Sequence, residues 1–259
     1  MKTIKITAMV FIVMSTMMAG CKKTSLDPAS DTSLSASDIG LKEDRGPIKK
    51  FINPANFVSG ITNQYFPLTP GDTFFYEVIS VEDGDTTTEQ VTIAVTNDIK
   101  VISGISCEVI HDEVMSDGIL TEDTYDWYAQ DIYGNVWYFG EDTKALQEDG
   151  TYSSEGSFQN GVDGAVAGII MPGDPDKYIG QTYRQEHYVG HAQDKGTVLS
   201  TDETVTIGLG TFTNCVKTLE TTPLDPGVEE YKWYAPGLGH IKSIIEVGGD
   251  EHEELVGTN

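Results

Sequence analysis

The sequence predicts an all-β protein made of antiparallel meanders that form two related half-barrel or sandwich-like units. Three observations support this fold class. Apolar and polar residues alternate with a period of two rather than 3.6 in both halves of the chain. Tight-turn signals such as Asp117-Gly118 separate the alternating runs. Rare residue types also recur in the same order in the two halves, which is the pattern of an internal duplication.

The N-terminus has the three-part pattern of an export signal. Lys2 and Lys5 precede the apolar residues 6–18, a run too short to span a bilayer as a helix but long enough for a signal-peptide core. The run ends at Met18-Ala19-Gly20-Cys21, which resembles the lipobox of bacterial lipoproteins. The resemblance implies that residues 1–20 are a signal peptide and that Cys21 carries acyl chains such as palmitate. The alternatives are an ordinary secretory signal that leaves this cysteine free, or an uncleaved anchor.

Residues 21–46 form the second segment, which we interpret as the lipidated cysteine and a flexible tether. It is rich in Ser, Asp, Thr and Lys and has too few apolar residues to offset the entropy of ordering. Several acyl chains together hold a protein stably on a membrane, so the membrane is an expected partner through the lipid anchor. Lys22 and Lys23 stand where enterobacterial lipoproteins retained in the inner membrane have Asp, which favours the outer membrane of the cell envelope. The periplasmic and surface faces both stay open.

The composition is strongly acidic, with 41 acidic residues, 16 basic residues and a net charge of −25. Such a surface repels phosphates, so nucleic acid is excluded as a partner. Cations, or a need for solubility outside the cell, fit this charge better. Apart from Cys21, the cysteines are Cys107 and Cys215, which lie in apolar strand-like runs. A disulfide between them is one reading, but we expect two buried thiols.

A recurring string of residues indicates the duplication. Cys107 precedes Trp127-Tyr128-Ala129 by 20 residues, and Cys215 precedes Trp233-Tyr234-Ala235 by 18 residues. Two copies of one supersecondary unit explain this order, although β-rich sequences share some residue types by propensity alone. The duplication divides the chain into a first β unit at residues 47–147 and a second β unit at residues 177–259.

The individual strands follow from the runs and turns in order. In the first unit, residues 74–81 and 86–95 flank a turn at 82–85, residues 106–115 and 119–130 flank a turn at 117–118, and residues 136–139 follow a turn at 133–135. In the second unit, residues 214–221 and 228–235 flank a turn at 223–227, and residues 241–247 form the last strand after a turn at 236–239. The pattern allows no helix beyond a turn near residues 53–61.

Between the two units lies a Gly-rich and Ser-rich insert, residues 148–176. Its composition argues against any regular element. The apolar residues 162–171 would rather pack over a surface, so we expect a loop that covers the seam between the two units. A plain interdomain linker is the alternative.

Aromatic residues near the repeated string are the candidates for ligand binding. In a strand, Tyr125, Trp127 and Ala129 would face one way while Asp126 and Tyr128 face the other. Exposed rings could stack on the sugar faces of a glycan, and a dry cavity would suit an apolar molecule. The candidate ligand-binding residues are Tyr125, Trp127, Tyr128, Trp137, Trp233 and Tyr234.

Acidic residues at turns are the candidates for a metal site. Calcium prefers carboxylate oxygens, which acidic pairs at turns could supply. The candidate pairs are Asp83 with Asp85 and Asp174 with Asp176. Asp is also common at turns for backbone reasons alone, so calcium is a candidate cofactor rather than a requirement. His187 and His191 have the spacing of a helical zinc site, but Gly190 argues against a helix, and two surface histidines are the preferred reading.

No specific catalytic motif appears, and we therefore predict no catalytic residue. His111-Asp112-Glu113 looks like a catalytic string, but it lies in a strand run without a nucleophile-elbow serine. We interpret these three residues as solvated positions on a half-exposed sheet. P-loop, dinucleotide and Cys-x-x-Cys motifs are also missing from the sequence.

Three longer strings resemble a group of uncharacterised secreted bacterial proteins and lipoproteins. They are residues 63–71, residues 126–138 and residues 234–239. The resemblance covers most of residues 56–247 and implies export and one shared architecture, but no activity. The sequence thus favours an outer-membrane-anchored, non-catalytic module that binds a small ligand or glycan in the groove between the two units. The alternatives are an extracellular hydrolase with a carboxylate or metal site under the Gly-rich loop, and a structural or assembly partner of another surface protein.

Overall fold

The computed structural model describes residues 52–82 and 84–259. Within these ranges the chain consists of strands, turns and two short 3-10 helices, Pro54–Asn56 and Pro175–Tyr178. The first of these helices coincides with the turn expected near residues 53–61. The all-β prediction is confirmed. The signal peptide, the lipobox with Cys21, and the tether lie outside the described residues.

The strands are numbered in chain order and form two groups, one in each half. The first half contains β1 (Phe57–Val58), β2 (Ile61–Asn63), β3 (Phe66–Leu68), β4 (Thr73–Glu82), β5 (Asp85–Ile102), β6 (Ile105–Ser116), β7 (Ile119–Asp131) and β8 (Val136–Leu146). The rest of the chain contains β9 (Tyr152–Ser153), β10 (Phe158–Gln159), β11 (Val166–Met171), β12 (Thr182–Arg184), β13 (Glu186–His187), β14 (Lys195–Ile207), β15 (Gly210–Thr221), β16 (Glu229–Ala235), β17 (Gly239–Val247) and β18 (Glu251–Thr258).

Apart from β2 and β3, which form a separate two-stranded sheet, these strands form one antiparallel sheet that curls into a nearly closed barrel. The order across the sheet is β12-β14-β15-β16-β17-β18-β4-β5-β6-β7-β8-β11-β13. At the two ends, β12 pairs with β14 and β13 pairs with β11. Because only Gln185 separates β12 from β13, a single segment pairs with both ends of the sheet. The two halves are therefore joined in one continuous sheet rather than packed as separate sandwiches.

The residues of the recurring string occupy matching positions in the two halves. The residue after Cys107 lies opposite Tyr128 in the β6/β7 pair, and the residue after Cys215 lies opposite Tyr234 in the β15/β16 pair. In both halves the register with the next strand shifts between the Trp and the Tyr of Trp-Tyr-Ala. Both cysteines are buried and unbonded, as we expected. Tyr128 and Tyr234 face the barrel interior. Because neighbouring residues of a strand face opposite ways, Trp127 and Trp233 lie on the outer face.

The Gly-rich insert differs from the expected loop. It contains β9, β10 and β11, and all six residues of β11 are buried between β8 and β13. A Cβ atom at Gly168 would lie 2.3 Å from the backbone oxygen of Arg184. The glycine therefore permits a close approach of two backbones, and the loop prediction is wrong for this apolar part of the insert.

The last strand, β18, was not expected from the sequence, which placed the end of the sheet at residue 247. Its inward positions are Glu251, Glu253 and Leu255, and all three are buried. Two of these three positions are acidic, so the strand lacks the apolar alternation that marks a buried face. β18 pairs with β17 and β4 and thereby joins the second half of the barrel to the first.

None of the residues that the structure describes belongs to a helix long and apolar enough to cross a membrane.

Candidate functional site

A cavity of about 70 Å³ lies inside the barrel. Its walls come from β3 to β7 in the first half and from β16 to β18 in the second half, so both halves contribute to it. The half-buried lining residues are mostly apolar: Phe66, Pro67, Ile93 and Leu238. The acidic lining residues, Asp112, Asp126 and Glu253, are all buried. The cavity thus has an apolar rim towards solvent and a polar floor.

The hairpin β2–β3 supplies part of the apolar rim, and Asn63 fixes it in place. The Asn63 amide nitrogen donates to the backbone oxygens of Gly134 (2.9 Å) and Pro172 (3.0 Å), and its side-chain oxygen accepts from the backbone N–H of Phe66 at 3.1 Å. The Phe66 ring centroid lies 5.3 Å from that of Tyr128 and 6.4 Å from that of Tyr234. Phe66 therefore bridges the matching tyrosines of the two halves.

On the first-half side of the floor, one hydroxyl contacts two carboxyl groups. The Tyr138 Oη lies 2.5 Å from Asp126 Oδ1 and 2.9 Å from Glu141 Oε2. Burial raises the pKa of Asp126 to about 7, although the hydroxyl lowers it, and burial raises the pKa of Glu141 well above its usual value. Because a hydroxyl has only one hydrogen to donate, both contacts are hydrogen bonds only if one carboxyl group is protonated.

Asp112 lies in the same floor and corrects our reading of residues 111–113. Its side chain is only 3% exposed, and burial, followed by the nearby Asp126, raises its pKa well above the usual value. The neighbouring His111 lies outside, where its Nε2 is 2.8 Å from Asp123 Oδ1 and its ring stacks on Tyr125. The expected alternation is confirmed, but the prediction of a solvated Asp112 is wrong because its face is the barrel interior.

The second-half side of the floor holds a buried ammonium group. Lys232 Nζ is 3.0 Å from Glu220 Oε2 and 3.3 Å from Glu230 Oε2, and all three side chains are at most 10% exposed. Burial alone would lower the pKa of Lys232, but the two glutamates raise it above its usual value. The Tyr234 hydroxyl also donates to Glu220, at 3.1 Å. The lysine charge is therefore fully compensated by its neighbours.

His240 and Glu253 complete the floor. The Ser243 hydroxyl donates to Glu253 Oε2 at 3.1 Å, and His240 Nδ1 lies 3.7 Å from the same oxygen. The His240 ring stacks on Tyr76 with 5.4 Å between centroids. Burial, together with Lys232, lowers the pKa of His240 to about 3, and burial raises the pKa of Glu253 to about 7. His240 is thus a neutral imidazole at physiological pH.

Four buried polar atoms that line this cavity have no hydrogen-bond partner among the described residues. They are Asp112 Oδ1, the Tyr128 hydroxyl, His240 Nε2 and Glu253 Oε1. Each such atom costs about 1–3 kcal/mol relative to a bonded one. Each of these four atoms therefore has hydrogen-bonding capacity left for a water or another molecule in the cavity.

The cavity collects two of the six predicted ligand-binding aromatics, Tyr128 and Tyr234. Trp127 lies on the outer face under Lys100, whose Nζ is 3.1 Å from the ring centroid. Trp233 lies similarly under Lys217, at 4.7 Å. A sugar that stacked on the lysine-covered face of Trp127 or Trp233 would first have to displace that lysine.

The other two predicted aromatics are also outside the cavity lining. Tyr125 is on the outer face, stacked on the His111 ring at 4.4 Å between centroids. Trp137 is buried, and its Nε1–H donates to Asp131 Oδ2 at 2.9 Å. The six residues therefore belong to separate places on the barrel.

The candidate calcium ligands that the structure describes lie in two separate segments of the chain. Asp83 lies outside the described residues, and Asp85 is exposed at the first residue of β5. Asp174 forms an ion pair with Lys177 at 2.6 Å, and Asp176 accepts a hydrogen bond from Thr201. Within residues 52–82 and 84–259, no three His, Cys, Asp or Glu side chains form a group that could hold a metal ion. Calcium binding stays a prediction.

Sequence reasoning missed Lys232, His240 and Glu253. One signal was available for the lysine: it precedes Trp233 as Asp126 precedes Trp127, and both are charged positions on the tyrosine face of a repeated strand. No comparable pattern marks the other two. A hydrolase would be favoured if Asp126, Glu122 or His187 met in one pocket, but of these three only Asp126 is among the described residues that line the cavity.

No protein-family model matches the chain, and no curated protein sequence matches it. Among solved structures, it is similar to a protein with a YmcC-like fold from Bacteroides fragilis NCTC 9343 that is inferred to be exported, with 16% identity and a TM-score of 0.43 over 76% of this chain and 100% of that chain. It is also similar to an inferred lipoprotein from Parabacteroides distasonis ATCC 8503, with 10% identity and a TM-score of 0.41 over 76% of this chain and 99% of that chain.

Proposed function

We propose that the chain is a lipid-anchored protein of the bacterial outer membrane whose barrel binds a small ligand in its interior cavity. The anchor part of the proposal rests on the lipobox pattern that ends at Cys21. The binding part rests on one observation, the four unpartnered buried polar atoms that surround the cavity within the described barrel.

The size of the cavity limits the ligand. One water molecule needs about 10–15 Å³ of such space, so a cavity of about 70 Å³ holds roughly five to seven non-hydrogen atoms. Sites for drug-sized molecules are typically about 300–1,000 Å³. A single sugar ring with its hydroxyl groups has more atoms than this space holds. The cavity therefore supports a small molecule rather than a glycan.

The same proposal includes the internal duplication. Support comes from the matching register of the recurring strings and from the register shift that both halves have between Trp and Tyr. Tyr128 and Tyr234 would then be equivalent residues that face the cavity from the two copies. A ligand in this cavity would lie between the two copies, and binding sites are common at such interfaces.

A thermal-unfolding screen of the purified full-length chain tests the binding. Small cationic, neutral and anionic molecules are added separately, together with calcium and with EDTA. A ligand at a hundred times its dissociation constant stabilises the native state by about 2.7 kcal/mol, so the melting temperature rises measurably. The expected result is a rise with at least one class of small molecule.

Two matched variants distinguish the cavity from other sites. Leu238→Trp places a large ring at the cavity rim, and Leu209→Trp places the same ring at an exposed position outside the cavity lining. We expect the first variant to lose the ligand-induced rise and the second to keep it. If no compound raises the melting temperature of the unmodified chain, the binding proposal is wrong.

Metabolic labelling with a palmitate analogue tests the anchor independently. Cells expressing the chain should yield a labelled product in the outer-membrane fraction, and Cys21→Ala should abolish the label. An unlabelled product in the periplasmic fraction of cells that express the unmodified chain would contradict the anchor.

A further inference from the structure

The charges around the cavity point to the class of its ligand. Three carboxyl side chains, Asp112, Asp126 and Glu253, line a cavity whose only ammonium among the described lining residues, Lys232, is already bound to two glutamates outside the lining. We infer that the cavity binds a small alkylammonium ion, with its charged head at the acidic floor and its apolar chain at the rim. This inference deepens the proposed function and rests on it.

The unpartnered atoms match an ammonium group. Asp112 Oδ1 and Glu253 Oε1 are carboxyl oxygens, which accept hydrogen bonds when ionised. The Tyr128 hydroxyl can also accept, and so can Nε2 of a neutral His240 whose proton sits on Nδ1 towards Glu253. A primary ammonium carries three N–H donors and no acceptor, so it complements these atoms.

Aromatic and apolar groups complete the complement. The rings of Tyr76, Tyr128 and Tyr234 line the cavity, and aromatic rings attract a cation. At the rim, Phe66 and Leu238 give the alkyl chain an apolar contact. The volume of about 70 Å³ fits roughly five to seven non-hydrogen atoms, the size of a pentylammonium ion.

Other charge classes fit this floor less well. A bare metal ion needs several ligands that converge on one point, and no described group of three His, Cys, Asp or Glu side chains does so. An anion would meet three carboxyl groups, and the ammonium of Lys232 is 3.0 Å from Glu220 and 3.3 Å from Glu230. An alkylammonium needs at most three acceptors around its nitrogen, and its N···O contacts of about 2.7–3.2 Å are longer than metal–oxygen bonds, so it requires less convergence of the ligands.

Binding of a cation should release protons, because burial raises the pKa values of the acids in the floor. The pKa of Glu253 is raised to about 7, and that of Asp112 lies well above its usual value. The charged and titratable groups that face these two acids are Asp126, Glu122, Glu113, Glu230, Glu251, Lys232, His240 and Tyr76. Affinity for the ammonium should therefore increase from pH 6 to pH 8, while the ligand itself stays charged.

Isothermal titration calorimetry of the full-length chain at pH 8 tests the inference with three compounds of matched length. The probes are pentylammonium chloride, 1-pentanol and sodium pentanoate. We expect binding of the ammonium at least tenfold tighter than that of the alcohol, and no measurable binding of the carboxylate. The ammonium titration is repeated at pH 6, where the affinity should be lower.

Two variants of β18 serve as a matched pair in the same titration. Glu253→Gln removes a carboxyl group that lines the cavity, and Glu251→Gln removes a buried carboxyl group two residues away on the same strand face, outside the lining. We expect at least a tenfold loss of ammonium affinity in the first and less than a threefold loss in the second. Near-UV circular dichroism checks that both variants keep the native packing.

The three probes also separate this inference from the proposed function. If pentanol or pentanoate binds as tightly as pentylammonium, the cation inference is wrong while the ligand-binding function stands. If all three fail and the broader thermal screen also finds nothing, both are wrong. If pentylammonium alone fails to bind while another small molecule binds in the cavity, only the cation inference is overturned.

Discussion

Replacing Lys232 by Met should destabilise the barrel strongly, and the loss should depend on pH. The ammonium of Lys232 compensates two buried glutamates at 3.0 Å and 3.3 Å, each at most 6% exposed. Met has a similar volume and no charge, so it leaves Glu220 and Glu230 buried without a counterion. Breaking a buried ion pair on one side costs about 3–5 kcal/mol. We expect a loss of this size in the free energy of unfolding at pH 8.

The pH dependence follows from the glutamates that remain. Burial raises the pKa of Glu230 even in the native chain, where Lys232 opposes the shift. Without the lysine the pKa should rise further, because a penalty of about 3–5 kcal/mol corresponds to roughly 2–4 pKa units. Because the pKa is higher in the folded state, the native variant takes up a proton at a higher pH than the unfolded chain does as the pH falls. The loss should therefore shrink to below about 2 kcal/mol at pH 5.

Urea unfolding followed by tryptophan fluorescence at pH 8 and pH 5 measures both quantities. Lys217→Met is the matched control, since the ammonium of Lys217 lies over the rings of Tyr231 and Trp233 on the outer face. It should cost less than about 1 kcal/mol at either pH. Equal losses in the two variants, or a Lys232→Met loss that does not change with pH, would refute the argument from buried charge.

Three further predictions concern the rest of the barrel. Gly140→Ala places a Cβ atom 2.1 Å from the backbone oxygen of Phe158 at a φ of +138°. It should lower the free energy of unfolding, measured in urea, by about 2–4 kcal/mol. The control Gly208→Ala has its nearest contact at 3.5 Å and should cost less than about 1 kcal/mol. Burial raises the pKa of Glu251 to about 8, so its contribution to stability is full below about pH 4.5 and is lost as the pH rises to about 8; Glu251→Gln should flatten that part of the stability profile measured by urea unfolding. Burial raises the pKa of the Cys107 thiol to about 12, so maleimide should label it at pH 8 in the urea-unfolded chain but not in the native one, and rapid labelling of the native chain would contradict its burial.

Local patterns in the sequence predicted β4 to β8 of the first half and β15 to β17 of the second half, because the hairpins between these strands have their own turn chemistry. The Asp117-Gly118 turn, for example, has positive φ at both residues, as a tight hairpin requires, and it connects β6 to β7. The closure of the barrel was not predictable in this way. It depends on β18, whose inward face carries Glu251 and Glu253, and on the short segment around Gln185 that pairs with both sheet ends.

The site itself could be predicted only in part, for a related reason. Tyr128 and Tyr234 were identified because aromatic residues in a repeated string stand out. Asp112 was identified as alternating with its neighbours but assigned to solvent, because an acidic residue in a strand is usually exposed. Whether a face is inside or outside depends on how the whole sheet curls, and no short stretch of sequence contains that information.

The charge of the cavity depends on a difference between the two halves. If the halves are copies, as we propose, Asp126 and Lys232 hold one ancestral position, each preceding a Trp-Tyr-Ala string. The two buried charges then have different partners. Asp126 accepts a hydrogen bond from the Tyr138 hydroxyl, whereas Lys232 forms ion pairs with two glutamates of its own half. The charge of Lys232 is compensated by glutamates of the second half. Asp112 Oδ1 and Glu253 Oε1, in contrast, have no hydrogen-bond partner among the described residues. A duplicated barrel would in this way acquire an acidic floor, and the variants of Lys232 and Glu253 test its two sides separately.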